Sequence, residues 1–132
     1  MPRWRFLILS AVILGACEVA EQPPRPQADR EFTYEGVGTR LLADDLVNFH
    51  VEMGGEPVRD DLALYARCAA AQYALIRGYG FARHVRTTVY KEGGLWRGDA
   101  VYTISQALPE GFQTLDAEVV VADCAENGIP TV

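Results

Sequence analysis

Leu46-Val47-Asn48-Phe49-His50-Val51-Glu52-Met53, followed after a short break by LALYARCAAAQYALIRG at residues 62–78, is the stretch on which the fold turns. Its first half alternates without interruption, with Val47, Phe49, Val51 and Met53 set against Asn48, His50 and Glu52. A period of two is that of a strand with one face buried. Gly54-Gly55 ends the strand, and Pro57 and the pair Asp60-Asp61 lead into the second half. Acids at that point suit the positive end of a helix macrodipole. At about 100° per residue, Leu62, Ala66, Ala69, Tyr73 and Ile76 share one arc, and Leu64, Cys68, Ala71 and Leu75 share the next. Asp60, Arg67, Ala74 and Arg77 fall opposite. So wide an apolar arc fits a helix laid across a sheet, and its alanines let the two backbones approach closely. Gly78 suits the turn after the helix.

Toward the C-terminus, residues 81–90 are β-rich, Lys91-Glu92-Gly93-Gly94 reads as a turn, and Ala100-Val101-Tyr102-Thr103-Ile104 reads as a further strand. Pro109-Glu110-Gly111 forms a second turn before residues 115–122, LDAEVVVA, which read as a last strand. The order strand, helix, strand, strand, strand predicts an α+β domain of two layers over residues 39–132. One long helix would pack on a mainly antiparallel sheet of about four strands.

Toward the N-terminus the character changes. Residues 18–30, EVAEQPPRPQADR, carry Pro23, Pro24 and Pro26, no periodicity and no large aliphatic residue beyond Val19. The segment 17–38 therefore reads as a flexible, partly polyproline-like tether. Ahead of it, Arg3 and Arg5 precede an uncharged run over residues 6–14. That run is roughly half of the ~20 residues a spanning helix needs, and residues 1–16 read as a signal peptide. The whole chain of 132 residues has room for one small domain. Its 12 Lys and Arg stand against 18 Asp and Glu, a net charge of −6 that argues against a nucleic-acid partner. With 49% hydrophobic residues, a disordered chain is excluded as the default.

Leu14-Gly15-Ala16-Cys17, placed after that charged start and short apolar core, resembles the lipobox of bacterial lipoproteins. The resemblance implies cleavage before Cys17 and acylation of its thiol and new amine, with palmitate among the usual chains. Two or three acyl chains anchor a protein durably where one does not. The membrane partner would thus be reached through lipid rather than by a spanning helix. Glu18, where Asp would favour retention in the inner membrane, implies the outer membrane, with the domain facing the periplasm. Loss of Arg3 and Arg5 makes the remaining chain more acidic still, which would hold it off anionic headgroups. Residues 68–80, CAAAQYALIRGYG, and the strands after them also look like small uncharacterised lipoproteins of Gram-negative bacteria.

If Cys17 carries lipid, Cys68 and Cys124 remain as an even pair in an oxidising compartment. A disulfide between them is one expectation and two buried free thiols the other. Strict alternation along residues 115–122 puts Cys124 on the face away from the core, so the bond would need a bulge or an early strand end. Catalytic residues are few. Beyond the signal peptide Ser105 is the single serine, without a nucleophile elbow around it, and neither remaining cysteine has an adjacent histidine or a CxxC partner. No enzyme and no cofactor are expected. His50, Glu52, His84 and Tyr90 could meet on the open sheet face and hold a metal or small ligand, although solvated strand residues are the plainer reading and nearby arginines oppose a cation. Trp96 and Arg97, in the glycine-rich segment 93–99, read as a hairpin connection with the indole folded on the sheet edge, or as an interaction site, since Trp and Arg are favoured anchors. The composite expectation is a non-enzymatic envelope lipoprotein that binds an envelope protein or supports the envelope. The alternative is a small-ligand or metal-binding module of the periplasm.

Overall fold

The structure is a computed structural model and describes residues 30–132. The expected signal peptide, Cys17 and most of the expected tether lie outside the described residues. The elements run β1 (Phe32–Leu41), β2 (Leu46–Gly55), α1 (Arg59–Ile76), β3 (Phe81–Glu92), β4 (Leu95–Ser105), β5 (Thr114–Asp116) and α2 (Ala117–Glu126). The five strands form one antiparallel sheet in the order β1-β2-β4-β3-β5. Helix α1 carries the chain from β2 to β3, and β4 then inserts between those two strands, a split β-α-β arrangement. Both helices lie on one face of the sheet, α1 across β2, β4 and β3, and α2 against α1 and β5.

The expected class, α+β with an antiparallel sheet, is what the chain adopts. Three expectations are corrected. There are five strands rather than about four, and two helices rather than one. The tether expected over 17–38 gives way to structure by Arg30, and β1 begins at Phe32. Gly36 and Gly38 hide this strand in the sequence, as does a bulge between Tyr34 and Gly36, which resets the alternation so that Phe32, Tyr34 and Val37 all lean on the core. Finally, the last strand expected over 115–122 is three residues of β5 followed by α2. Asp116 explains the switch. Its carboxylate accepts the backbone N–H groups of Glu118 at 3.0 Å and Val119 at 3.2 Å, an N-cap that outweighs the β-propensity of Val119-Val120-Val121. The residues of α2 that meet the core, Ala117, Val120 and Cys124, recur at helical spacing.

The strand at the centre of the argument behaves as its pattern dictates. Val47, Phe49, Val51 and Met53 are fully buried beneath α1. The face of α1 is rotated from the expected arc, with Ala74 buried and Ile76 exposed, because the helix is covered by the sheet on one side and by α2 on another. Its start is fixed by Asp61, which is 3% exposed, accepts the N–H of Val58 at 2.8 Å and holds both oxygens against Arg30 Nη2 at 2.9 and 3.0 Å. Arg30 thereby ties the beginning of the described chain to the helix.

Close approach of helix to sheet rests on Gly98 in β4. A Cβ there would lie 2.8 Å from Val51 Cγ2 and 3.5 Å from Leu62 Cβ. The β3–β4 hairpin turns on Gly93 and Gly94, both at positive φ (60° and 81°), which suits a tight two-residue turn.

Candidate functional site

Between α1 and the β3–β5 side of the sheet lies a cleft of about 590 Å³. Its lining comes from non-neighbouring parts of the chain. Arg59, Asp60, Leu64 and Arg67 descend from α1, His84 and Thr87 come from β3, Tyr102 from β4, and Gln113 and Leu115 from the end of the following loop and β5. Ala63, Leu64 and Leu115 give it an apolar patch, the other eight lining residues are polar or charged, and the volume is enough for a small ligand.

His84 organises one wall. Its Nδ1–H donates to Gln113 Oε1 at 2.5 Å, and Nε2 accepts from the Thr87 hydroxyl at 2.7 Å. Both ring nitrogens are thus occupied, and the ring stands edge-on to Tyr102 with centroids 5.1 Å apart. Gln113 is held in turn by its backbone, whose carbonyl accepts the His84 N–H at 3.1 Å. It has φ 60°, the one positive-φ residue besides glycine among the described residues. A left-handed Gln costs conformational energy, and such positions persist where neighbours over-determine them, often at binding sites.

Tyr102 is 3% exposed, yet it lines the cleft. Burial pushes its phenol up to about 12, partly offset by the positive field of Arg67. Its hydroxyl has no hydrogen-bond partner among the described residues, and neither has the Arg67 guanidinium. Arg59 is partly engaged, donating from Nη2 to the Thr87 carbonyl at 3.0 Å.

Of the residues singled out in the sequence as a metal, ligand or interaction site, His84 lines the cleft and His50, Glu52, Tyr90, Trp96 and Arg97 sit elsewhere. His50 and His84 do not meet. A bulge between His84 and Arg86 moves β3 out of simple alternation, so that His84 faces the helices while His50, paired with Asp99, stays on the bare face. Tyr90 and Glu52 share the side of His50, each opposite Arg97. The open-face site of two imidazoles therefore does not assemble. Trp96 and Arg97 belong to β4 rather than to a connection, paired with Met53 and Lys91 and with Glu52 and Tyr90 respectively. Successive strand residues point to opposite faces, so the two make no joint anchor. Arg97 Nη1 binds Glu52 Oε1 at 2.5 Å, and the half-buried Trp96 carries Lys91 Nζ at 5.6 Å from its ring centre.

Cys68 and Cys124 form a disulfide, Cα–Cα 6.0 Å, which joins the middle of α1 to α2. The parity problem disappears because Cys124 stands on a helix. The cleft itself went unseen in the sequence. Arg67 in an alanine-rich helix, and Tyr102 in the same parity as Ala100 and Ile104, were the available signals, but only the tertiary fold brings them to Gln113.

This two-layer α+β module, with its cleft on the helical side, defines a domain class. The chain belongs to the YNQ4 C-terminal domain family, which it matches over residues 34–128, from early in β1 to just beyond α2. It is also similar to the "Uncharacterized 26.9 kDa protein in nqo8 5'region" of Paracoccus denitrificans, 33% identical over 92 residues. That match covers 70% of this chain and 36% of the other protein, so the chain spans little more than a third of that relative's length. No solved structure matches the chain. No helix among the described residues is long and apolar enough to cross a membrane.

Proposed function

We propose that the chain is a lipid-anchored, non-enzymatic binding module of the bacterial envelope. On this reading Cys17 fixes it to the outer membrane, and the domain faces the periplasm to engage an envelope partner or ligand. The supporting observation is how the three cysteines divide. Cys17 closes the lipobox-like Leu14-Gly15-Ala16-Cys17, and the other two share one bond, as suits an oxidising compartment.

A binding role also fits the state of the reactive groups. Neither cysteine of the domain is a free thiol, the Ser105 hydroxyl donates to the Ala107 carbonyl, and both His84 nitrogens are held. The open sheet face is the weaker binding surface, because Glu52 is paired with Arg97 and Asn48 with Asp99. The cleft, where the Arg67 guanidinium and the Tyr102 hydroxyl have no hydrogen-bond partner among the described residues, is the stronger.

Triton X-114 partitioning of the full chain tests the anchor. The natural protein is expected in the detergent phase and the Cys17→Ala variant in the aqueous phase. A variant that still follows the detergent would end the lipoprotein reading.

A further inference from the structure

The cleft has a chemistry specific enough to name its occupant's class. Three features converge. Arg67 offers a guanidinium with no partner among the described residues, a planar fork that matches the two oxygens of a carboxylate. Tyr102, almost wholly buried, offers a hydroxyl that is likewise unpartnered and close enough to Arg67 to feel its charge. The ring of Tyr102 is packed away while its hydroxyl opens on the cleft, and Arg67 is exposed at the same lining, so a ligand atom can reach both. Beneath them Leu64, Ala63 and Leu115 supply an apolar floor.

Charge decides between anions. Asp60 stands on the same lining, and Arg59 is already drawn to the Thr87 carbonyl. One free guanidinium beside one carboxylate suits a single negative charge and disfavours a phosphate dianion. The His84–Gln113 clamp, with its strained backbone, holds the Tyr102 wall in place before any ligand arrives.

We infer that this cleft binds a small organic monocarboxylate with an apolar body, the carboxylate taken by Arg67 and the Tyr102 hydroxyl. The inference rests on the reading of the chain as a binding module and adds to it the class of ligand.

The test uses the full chain in mild detergent with hydrocinnamate, hydrocinnamyl alcohol and hydrocinnamyl phosphate as probes, followed by amide NMR shifts and titration. Hydrocinnamate is expected to shift Arg67, Thr87, Tyr102 and Gln113 and to bind about tenfold tighter than the alcohol, with the phosphate no tighter than the carboxylate. Arg67→Gln, an exposed helix position that should leave thermal unfolding unchanged, brings hydrocinnamate down to the level of the alcohol. Tyr102→Phe weakens hydrocinnamate severalfold. Equal binding of acid and alcohol, preference for the phosphate, shifts confined to residues outside the cleft, no binding by any probe, or full affinity in Arg67→Gln would each overturn it. The two readings fail separately. A chain that leaves the detergent phase on Cys17→Ala yet binds no probe keeps its anchor and loses this site, whereas one that binds hydrocinnamate without partitioning does the reverse.

Discussion

The two faces of the sheet use polarity in opposite ways. On the bare face, charged and amide groups answer one another across strands: Glu52 with Arg97, Asn48 with Asp99, and Arg86 with Asp99 at 4.0 Å. On the covered face, most of the area is sealed by α1, yet one end keeps Tyr102 and Arg67 without hydrogen-bond partners among the described residues. On the bare face the pairing is close to complete, with Arg97 Nε the one atom of that face, among the described residues, buried without a hydrogen-bond partner. What singles out the cleft is shape together with polarity, since there a guanidinium and a phenol without hydrogen-bond partners among the described residues open on one lined hollow.

The comparison predicts that structural damage on the covered side far exceeds that on the bare side. The largest effect belongs to the disulfide between the helices. It closes a loop with a sequence separation of 56. Chain entropy assigns such a loop about 4 kcal/mol. Cys68→Ala/Cys124→Ala should therefore lower the denaturant midpoint by a large fraction of the whole stability, with little change in far-UV dichroism under native conditions. A midpoint within error of the natural protein would mean that α2 is held by packing alone.

Next comes Gly98→Ala. The new methyl meets Val51 Cγ2, a β-branched core side chain with nowhere to go, at the point where α1 crosses the sheet. A loss of about 1–3 kcal/mol is expected in urea unfolding. Alanine at the exposed Gly78, placed at φ 80° where no neighbouring atom crowds it, tests backbone strain alone and separates that from helix–sheet spacing.

A third prediction concerns alkali. The folded state holds the Tyr102 proton up to about 12, above the ordinary value of 10. The unfolded chain releases that proton first, so the stability is fully present below about pH 10 and drains away as pH rises toward 12. The loss attributable to Tyr102 by the end of that window is about 2 kcal/mol. Tyr102→Phe should flatten this limb in a pH series of thermal melts. It should not abolish it, because burial also raises Tyr34 and Tyr65. An unchanged limb would show that the phenol ionises as freely folded as unfolded.

How much of this was legible depends on whether the information was local. β2 was readable because its alternation is unbroken and one face is entirely core. The start of α1 was readable because acids, proline and the apolar arc agree. β1 was not, since its bulge at Glu35 and its two glycines break the only pattern a strand offers. α2 was misread because Val119-Val120-Val121 favours a strand, and the opposing vote, the carboxylate of Asp116 on two N–H groups, is a matter of geometry rather than composition. The cleft was hidden most deeply. One inserted residue in β3 sends His84 to the helical side, and the wall it builds exists only once residue 113 returns beside it.

The smallest expected effect lies on the bare face, and it is the sharpest check on the comparison. Glu52 and Arg97 are each about one-third exposed, with side-chain exposures of 35% and 34%, so water competes for both partners. Such pairs are worth at most about 1 kcal/mol and are screened by salt. Glu52→Gln should therefore cost a few tenths of a kcal/mol at low ionic strength and less at high, and should leave probe binding in the cleft untouched. Arg97 carries a counter-argument, because its Nε is buried without a hydrogen-bond partner. If Glu52 offsets that desolvation, removing its charge will cost nearer 2 kcal/mol with little salt dependence. That outcome would place a structural ion pair on the bare face and narrow the contrast between the two sides to the cleft alone.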